Sequence, residues 1–439
     1  MKEWRPSIFE RTWFTSFVTF LGSIVVLTLV TLKSGSTKDL YGDAAQYLAI
    51  GRSLAAGNGY KNLVGPWPTL SDYSRMPVWP ALISLGLRVA PWASPEAVSR
   101  FTNAFCLSMA GAFCSAFSRR LGLKPIFSLL AGLGVSFSLV LVYLSIGGLS
   151  EVSFVMILAA GLTAILSGGR YVYLGALILG MAALVRTNFI LLPFVFFALA
   201  LILRPSRKAL IQRGSLVRVL GWCVLALLPA FLWTVRNYLI TGRFPLLSTI
   251  EGETFYGANN ELVANNLEYW GYWVFPDLIP GQVPKLQLAE QMGSDVALND
   301  YYHEKGITWI KTHLRSLPRL ELGKFIRAFA PIPWFPLTGS YIVFFYRFLL
   351  YVLWFALLPF WWPFMNRTYL LFCLAMFIVH IATTAIYYGV YRFTHCYVEI
   401  LFIPCIAYGL QQRFKSDPAS ADVASSARVP PSTQCSVTC

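Results

Sequence analysis

The sequence is poor in charge and poorer still in acid. Asp, Glu, Lys and Arg make up 13% of its 439 residues, and 20 Asp and Glu stand against 35 Lys and Arg. A soluble domain carries about twice that share of charge, so an ordinary soluble fold is excluded. Histidine is scarce too: the four, at 303, 313, 380 and 395, show no ligand spacing to one another. No CxxC, zinc or EF-hand pattern occurs, so no cofactor is expected and a divalent metal is not indicated. Phosphate loops of the Walker type and internal repeats are also missing. Five of the eight cysteines, Cys106, Cys114, Cys223, Cys373 and Cys405, fall inside apolar runs, Cys396 beside one and Cys435 and Cys439 near the C-terminus, which argues against a disulfide framework. The terminal SVTC does not match a prenylation signal.

What is abundant is apolar surface: 56% of residues are hydrophobic, 16% are aromatic and the mean hydropathy is +0.60. Apolar runs at or near spanning length fall at about 14–32, 99–118, 126–146, 151–167, 171–187, 188–203, 217–240, 338–362, 368–388 and 397–412. The expected fold is an all-α polytopic membrane protein of about ten transmembrane helices. The first run lacks a small-residue cleavage site and is kept as a span. Lys2, Arg5 and Arg11, then Arg119, Arg120 and Lys124, then Arg204, Arg207, Lys208, Arg213 and Arg218 fall on one side of this topology, which the positive-inside rule makes cytoplasmic. Most acids fall on the other side. The net charge of +15 therefore belongs to cytoplasmic loops and does not call for nucleic acid. Both termini are expected in the cytoplasm of a multi-pass plasma membrane protein. Residues 1–413 form the membrane domain, with a first extracytoplasmic loop at 33–98 and a large one at 241–337 before the last three spans; 414–439, rich in Ser, Ala and Pro, is expected to be a disordered tail.

The stretch after the first span, YGDAAQYLAIGRSLAAGNGY at 41–60, sets an acid where one is costly. Gly42-Asp43 opens a helix that Gly57-Asn58-Gly59 closes, and Asp43, Tyr47, Ile50 and Leu54 share its inward face. Asp43 is a candidate for chemistry; alternatively it caps the helix, with Gln46 completing a capping box. Asp72 and Arg75 follow, and then about 14 apolar residues between Pro77 and Pro91, too few to cross a bilayer and read as a second surface helix.

The run GDAxxY, GxGY and RxPxxP over residues 42–80, directly after one span, resembles the polyprenyl-phosphate-sugar glycosyltransferases of the C-type membrane fold. It is most similar to the bacterial branch of the protein O-mannosyltransferase and lipid A aminoarabinose transferase superfamily. WTxRNYLxTGRFP at 233–245 and, less closely, Tyr391-Arg392-Phe393 are similar to the same family. The resemblance implies that Asp43 is the catalytic acid of the first extracytoplasmic loop; where many members have Asp-Glu, this chain has Asp43-Ala44.

It also implies an inverting transfer of a sugar from a polyprenyl-phosphate donor to a hydroxyl of a lipid, glycan or protein acceptor. Arg75, Arg186, Arg236 and Arg392 are then candidates for the donor phosphate, Arg236 and Arg392 first, because guanidinium forks suit phosphate oxygens. For Arg186 and Arg236 the alternative is snorkelling to lipid headgroups. Tyr47, Asp72, Glu151, Asn237 and Tyr391 are supporting candidates. Aromatic residues at 269–273 are either an interfacial belt or a stacking surface for sugar. The rival function is a transporter or flippase for a lipid-linked or anionic substrate; its polar residues belong at mid-span, whereas these gather at the outer boundary.

Overall fold

The computed structural model describes residues 12–35, 39–64, 71–202, 213–244, 247–330 and 341–416, and all regular structure among them is helical. Helix α1 (Thr12–Lys33) is followed by two short helices, α2 (Asp43–Ala55) and α3 (Val78–Val89), and by the long α4 (Pro95–Arg120). Along α1 the buried positions are Thr15, Thr19, Ser23, Leu27 and Thr31, one every fourth residue, and this stripe packs on α4. Each buried hydroxyl there needs a partner, and Thr19 finds one by donating to the Thr15 carbonyl at 2.7 Å. Helix α5 (Pro125–Ser136) meets α4 backbone to backbone. A Cβ on Gly111 would lie 2.7 Å from the Gly132 carbonyl, so small residues, not bulk, set this crossing.

The chain then bends by 42° into α6 (Leu139–Ile146) and continues through α7 (Glu151–Ser167), α8 (Tyr171–Ala183), α9 (Leu192–Ile202) and α10 (Arg213–Thr241). Five further helices follow: α11 (Glu251–Ala258), α12 (Glu261–Asn265), α13 (Lys285–Met292), α14 (Asp295–Thr312) and α15 (Leu317–Phe329). They have a small core of their own, in which Tyr256, Val263, Leu298, Tyr302, Trp309 and Leu320 are buried together. The last part of the chain is α16 (Tyr341–Ala356), α17 (Leu358–Trp361), α18 (Arg367–Ile386), α19 (Tyr391–Tyr397) and α20 (Phe402–Ser416).

Among the described residues five segments are long and apolar enough to cross a membrane, six if the bent α5–α6 pair is one span. The other four runs expected as spans fall on the shorter apolar helices α7, α8, α16 and the 187–196 stretch around the start of α9. The protein is thus a multi-pass membrane protein. The segment 77–91 is the 12-residue α3, too short to cross.

One expectation changes. The capping box at Asp43 does not form: Gly42, at φ +58°, takes the N-cap position and Asp43 is the first helical residue, with no side-chain cap bond. Gln46 instead turns toward Arg75. Of the aromatics at 269–273, Tyr272 and Trp273 lie against Tyr388, and the Gly389 N–H donates to the Gly271 carbonyl at 3.2 Å. The basic clusters at 2–11 and 204–208 lie outside the described residues, as does the expected 414–439 tail apart from 414–416, which complete helix α20.

Candidate active site

Three separate pieces of chain meet at the end of the bundle that carries the long connections. The first is the start of α2 and the turn that faces it. Gly57 and Gly59, at φ +80° and +82°, reverse the chain after α2, and Ser53 Oγ fastens the turn by donating to the Gly59 carbonyl at 2.8 Å. The Asp72 N–H donates to the Tyr60 carbonyl at 2.8 Å and closes the loop. Asp72 Oδ1 then accepts from the Ser74 N–H, the Ser74 hydroxyl and the Arg75 N–H at 2.8, 2.9 and 3.2 Å, while the Tyr60 hydroxyl donates to the Arg75 carbonyl at 3.0 Å. Held from both sides, Arg75 reaches back to α2. Its Nε donates to Gln46 Oε1 at 2.7 Å and its Nη2 to Asp43 Oδ1 at 2.8 Å.

The second piece is the start of α7. The Trp79 indole N–H donates to the Gly148 carbonyl at 3.2 Å, and the Ser150 hydroxyl donates to the Tyr47 hydroxyl at 3.3 Å, so α3 and α2 both fix this corner. Glu151, its side chain 1% exposed, sits at the helix N-terminus, where the dipole favours a carboxylate.

The third is α19 with the turn after α8. Arg392 approaches Asp43 Oδ2 at 3.7 Å and Glu151 Oε1 at 3.4 Å; Arg186 approaches Glu151 at 3.6 Å and donates from Nε to the Tyr397 hydroxyl at 2.8 Å. Both guanidinium groups stack on the Phe393 ring, at 4.1 Å for Arg186 and 5.0 Å for Arg392.

Asp43, Glu151, Arg75, Arg186 and Arg392 therefore form one cluster, with three guanidinium groups against two carboxylates. Its connections are uneven. Arg75 is committed by hydrogen bonds, whereas the contacts of Glu151 are long and neither of its oxygens has a hydrogen-bond partner. Arg392 makes ion pairs but no hydrogen bond among the described residues. Burial raises the Asp43 carboxyl, but the charges of Arg75, Arg392 and Arg186 and the Arg75 hydrogen bond outweigh it and hold it below the usual carboxylate range. An excess of one buried positive charge suits an anion.

Arg236 stands apart from this cluster. Its guanidinium lies 4.7 Å from the Trp233 ring centre and 5.5 Å from those of Tyr60 and Tyr73, and it donates to the Asp72 carbonyl at 3.2 Å and to Asn237 Oδ1 at 2.8 Å. With Asn237 it braces the turn that carries Arg75. Tyr391 also faces away, packing on Phe344 and beneath Arg347.

No family model matches the sequence, and no curated protein matches it. Solved structures do. An oligosaccharyltransferase of Archaeoglobus fulgidus, solved tethered by a disulfide to an acceptor peptide containing the NVT sequon, is similar over 92% of this chain with a TM-score of 0.51 at 13% identity. The fold is that of the C-type membrane glycosyltransferases. The match takes in 50% of the Archaeoglobus chain, so this chain spans about half of its length. ArnT from Cupriavidus metallidurans, solved bound to undecaprenyl phosphate and in the apo state, matches 94% and 93% of this chain and 81% and 79% of its own, at 14% and 15% identity with TM-scores of 0.42 and 0.40.

Within this C-type fold, several residues at the cluster escaped the sequence reading. Gln46 was visible only as a capping partner and Phe393 only as the neighbour of Arg392 in the Tyr391-Arg392-Phe393 run, and Ser150 and Tyr397 were not singled out. The spacing of Phe393 and Tyr397, four apart on α19, places both on one face and was the available signal.

Proposed function

We propose that the protein transfers a sugar from a polyprenyl-phosphate donor to an acceptor hydroxyl, with inversion, at the extracytoplasmic face of the plasma membrane, both termini being cytoplasmic. The observation that carries this reading is the excess of guanidinium over carboxylate at one buried point, with Arg392 uncommitted to any hydrogen bond. The donor phosphate binds Arg392 and Arg186, whose planar forks match its oxygens. As those two cations turn to the phosphate, Asp43 loses part of the positive charge that depresses it, the Arg75 pairing remaining, and becomes a better base. It accepts the acceptor's proton while the acceptor oxygen bonds to the sugar carbon and the bond to the phosphate oxygen breaks. The electron pair leaves with the polyprenyl phosphate, and a single displacement inverts the carbon. Glu151 keeps Arg186 and Arg392 apart and aligned, and Arg75 holds Asp43.

Purified protein incubated with radiolabelled polyprenyl-phosphate sugars and membrane extract is expected to move label from at least one donor into an acceptor. No transfer from any donor of a broad panel refutes the reading.

A further inference from the structure

The turn between α18 and α19, residues 387–390, is pinned by the helices of the large loop. Lys324 on α15 is fully buried and donates from Nζ to the Ala385 carbonyl at 2.9 Å, to Asn259 Oδ1 at 2.9 Å and to Glu321 Oε1 at 2.8 Å. Asn259 Nδ2 donates in turn to the Ile386 carbonyl at 3.1 Å, and the Tyr387 hydroxyl to Glu251 Oε1 at 2.5 Å. Gly389 bonds to the Gly271 carbonyl, and a Cβ on it would collide with the Lys324 carbonyl. Ties this dense on a short stretch fix the side chain between them, Tyr388.

The Tyr388 ring packs 5.7 Å from Phe393, the ring on which Arg186 and Arg392 both stack, and 6.0 and 6.4 Å from Tyr272 and Trp273. Arg392, Arg186 and Asp43 all lie within electrostatic reach of its phenol. Tyr388 thus joins the cluster from the turn ahead of α19. Its hydroxyl makes no hydrogen bond among the described residues, and it is not sealed in: the residue is half-buried and the oxygen keeps accessible surface. Burial raises the phenol above its ordinary value although Arg392 and Arg186 oppose it, so at neutral pH it stays protonated and can donate.

What surrounds the phenol decides its partner. Guanidinium groups offer only donors, and neither carboxylate of the cluster, Asp43 or Glu151, accepts from Tyr388. A free donor beside an excess of positive charge lacks an acceptor that is also an anion. Phosphate oxygens meet both needs, with lone pairs beyond those that guanidinium forks take. A sugar hydroxyl would satisfy the phenol and leave the charge unmet. We propose that the Tyr388 hydroxyl donates to an oxygen of the lipid-linked phosphate held by Arg186 and Arg392, an assignment that rests on the transferase reading. A neutral donor adds a hydrogen bond there without adding charge. The phosphate gains negative charge as the sugar leaves, so this bond strengthens as transfer proceeds and is strongest to the polyprenyl phosphate product.

The test compares the wild type with Tyr388→Phe, both full-length in phosphatidylcholine nanodiscs, titrated with undecaprenyl phosphate and with undecaprenol and followed by native mass spectrometry. Phe keeps the ring on Phe393, Tyr272 and Trp273 and removes only an unpartnered hydroxyl, so the two proteins should melt at the same temperature. The variant is expected to bind undecaprenyl phosphate about tenfold more weakly and undecaprenol equally well. Inorganic phosphate at equal concentration should displace the lipid from neither protein. Unchanged undecaprenyl phosphate affinity in the variant, an equal loss for undecaprenol, or a lower melting temperature overturns the role of Tyr388. Displacement by inorganic phosphate shows a site for free phosphate and overturns the lipid-linked assignment. A wild type that binds undecaprenyl phosphate no better than undecaprenol overturns the transferase reading, and with it the phosphate that Tyr388 would bind.

Discussion

Arg392 owes its position to two carboxylates it approaches without hydrogen-bonding either, at 3.4 and 3.7 Å. If its fork holds the donor phosphate, Arg392→Lys keeps the charge and loses the paired donors, and undecaprenyl phosphate should bind about tenfold to a hundredfold more weakly. Wild-type affinity in the Lys variant would sink that role. Asp43 makes no cap bond but accepts from Arg75, so Asp43→Asn, which keeps an acceptor, should melt higher than Asp43→Ala, which leaves that guanidinium without its partner, by roughly 1–3 kcal/mol of stability. Both variants should turn over about two to four orders of magnitude more slowly in a transfer assay, since neither accepts a proton. Asp295 supplies a prediction of pH dependence. Burial first, then Asp72 and Glu253, raise its carboxyl to about 6, while Lys285 opposes them. Tyr73 also lies within its electrostatic reach. The native state therefore holds this proton more tightly than the unfolded chain, and the stability it contributes is lost as pH rises from the usual carboxylate range through about 6. Asp295→Asn should melt higher than the wild type at neutral pH and approach it only as the pH falls into the usual carboxylate range; equal melting at both would show that Asp295 is not strained.

Helix α19 is the element on which the site depends most, and it is held from within the bundle. Glu399 accepts from Arg347 at 2.5 and 2.9 Å, from the Tyr351 hydroxyl at 2.8 Å, and lies 3.0 Å from His395 Nδ1. His395 Nε2 pairs with Ser138 at 2.7 Å, at the bend between α5 and α6, and Arg347 donates to the Ala328 and Ala330 carbonyls at 3.2 Å. One buried knot therefore joins α16, α19, the α5–α6 bend and the end of α15. Glu399→Gln leaves Arg347 buried without its counter-charge and should cost about 3–5 kcal/mol of stability, seen as a lower denaturation midpoint. Arg347→Met combined with Glu399→Leu should recover part of that loss, because no buried charge is left unpaired, while the Tyr351 hydroxyl, His395 Nδ1 and the Ala328 and Ala330 carbonyls lose their partners. A double variant as unstable as the single one would mean that the charges themselves specify the packing. From the sequence this knot was hidden: Glu399 reads as one acid at the edge of an apolar run, and its partner is 52 residues away.

At the scale of the whole molecule, the 39–64 and 71–77 segments and the 247–330 helices must lie on one side of the membrane, since Tyr73 and Thr249 share a backbone hydrogen bond. The Lys124 N–H donates to Gln411, which anchors the opposite end of the bundle. Single cysteines at Lys61 and Lys305 should react with an impermeant thiol reagent on intact cells, and one at Gly122 should not. Labelling at Gly122 without labelling at Lys61 would invert the topology and place the proposed site in the cytoplasm.

Local periodicity and composition carried the helical class, the membrane setting and the segment that matters, because those follow from which residues recur at which spacing. The glycine-bounded helix at 42–59 and the short α3 are local features, and local sequence is enough to read them. The partners were not legible. Asp43 meets Arg75 across 32 residues and Arg392 across most of the chain, and only the packing of α7, α8 and α19 decides that Arg186 joins them while Arg236 turns into an aromatic cage. All four arginines look alike in sequence, each beside apolar residues at a helix end. A guanidinium's role depends on which distant carboxylate or ring lies within a few ångströms, and that distance exists only once the helices have packed.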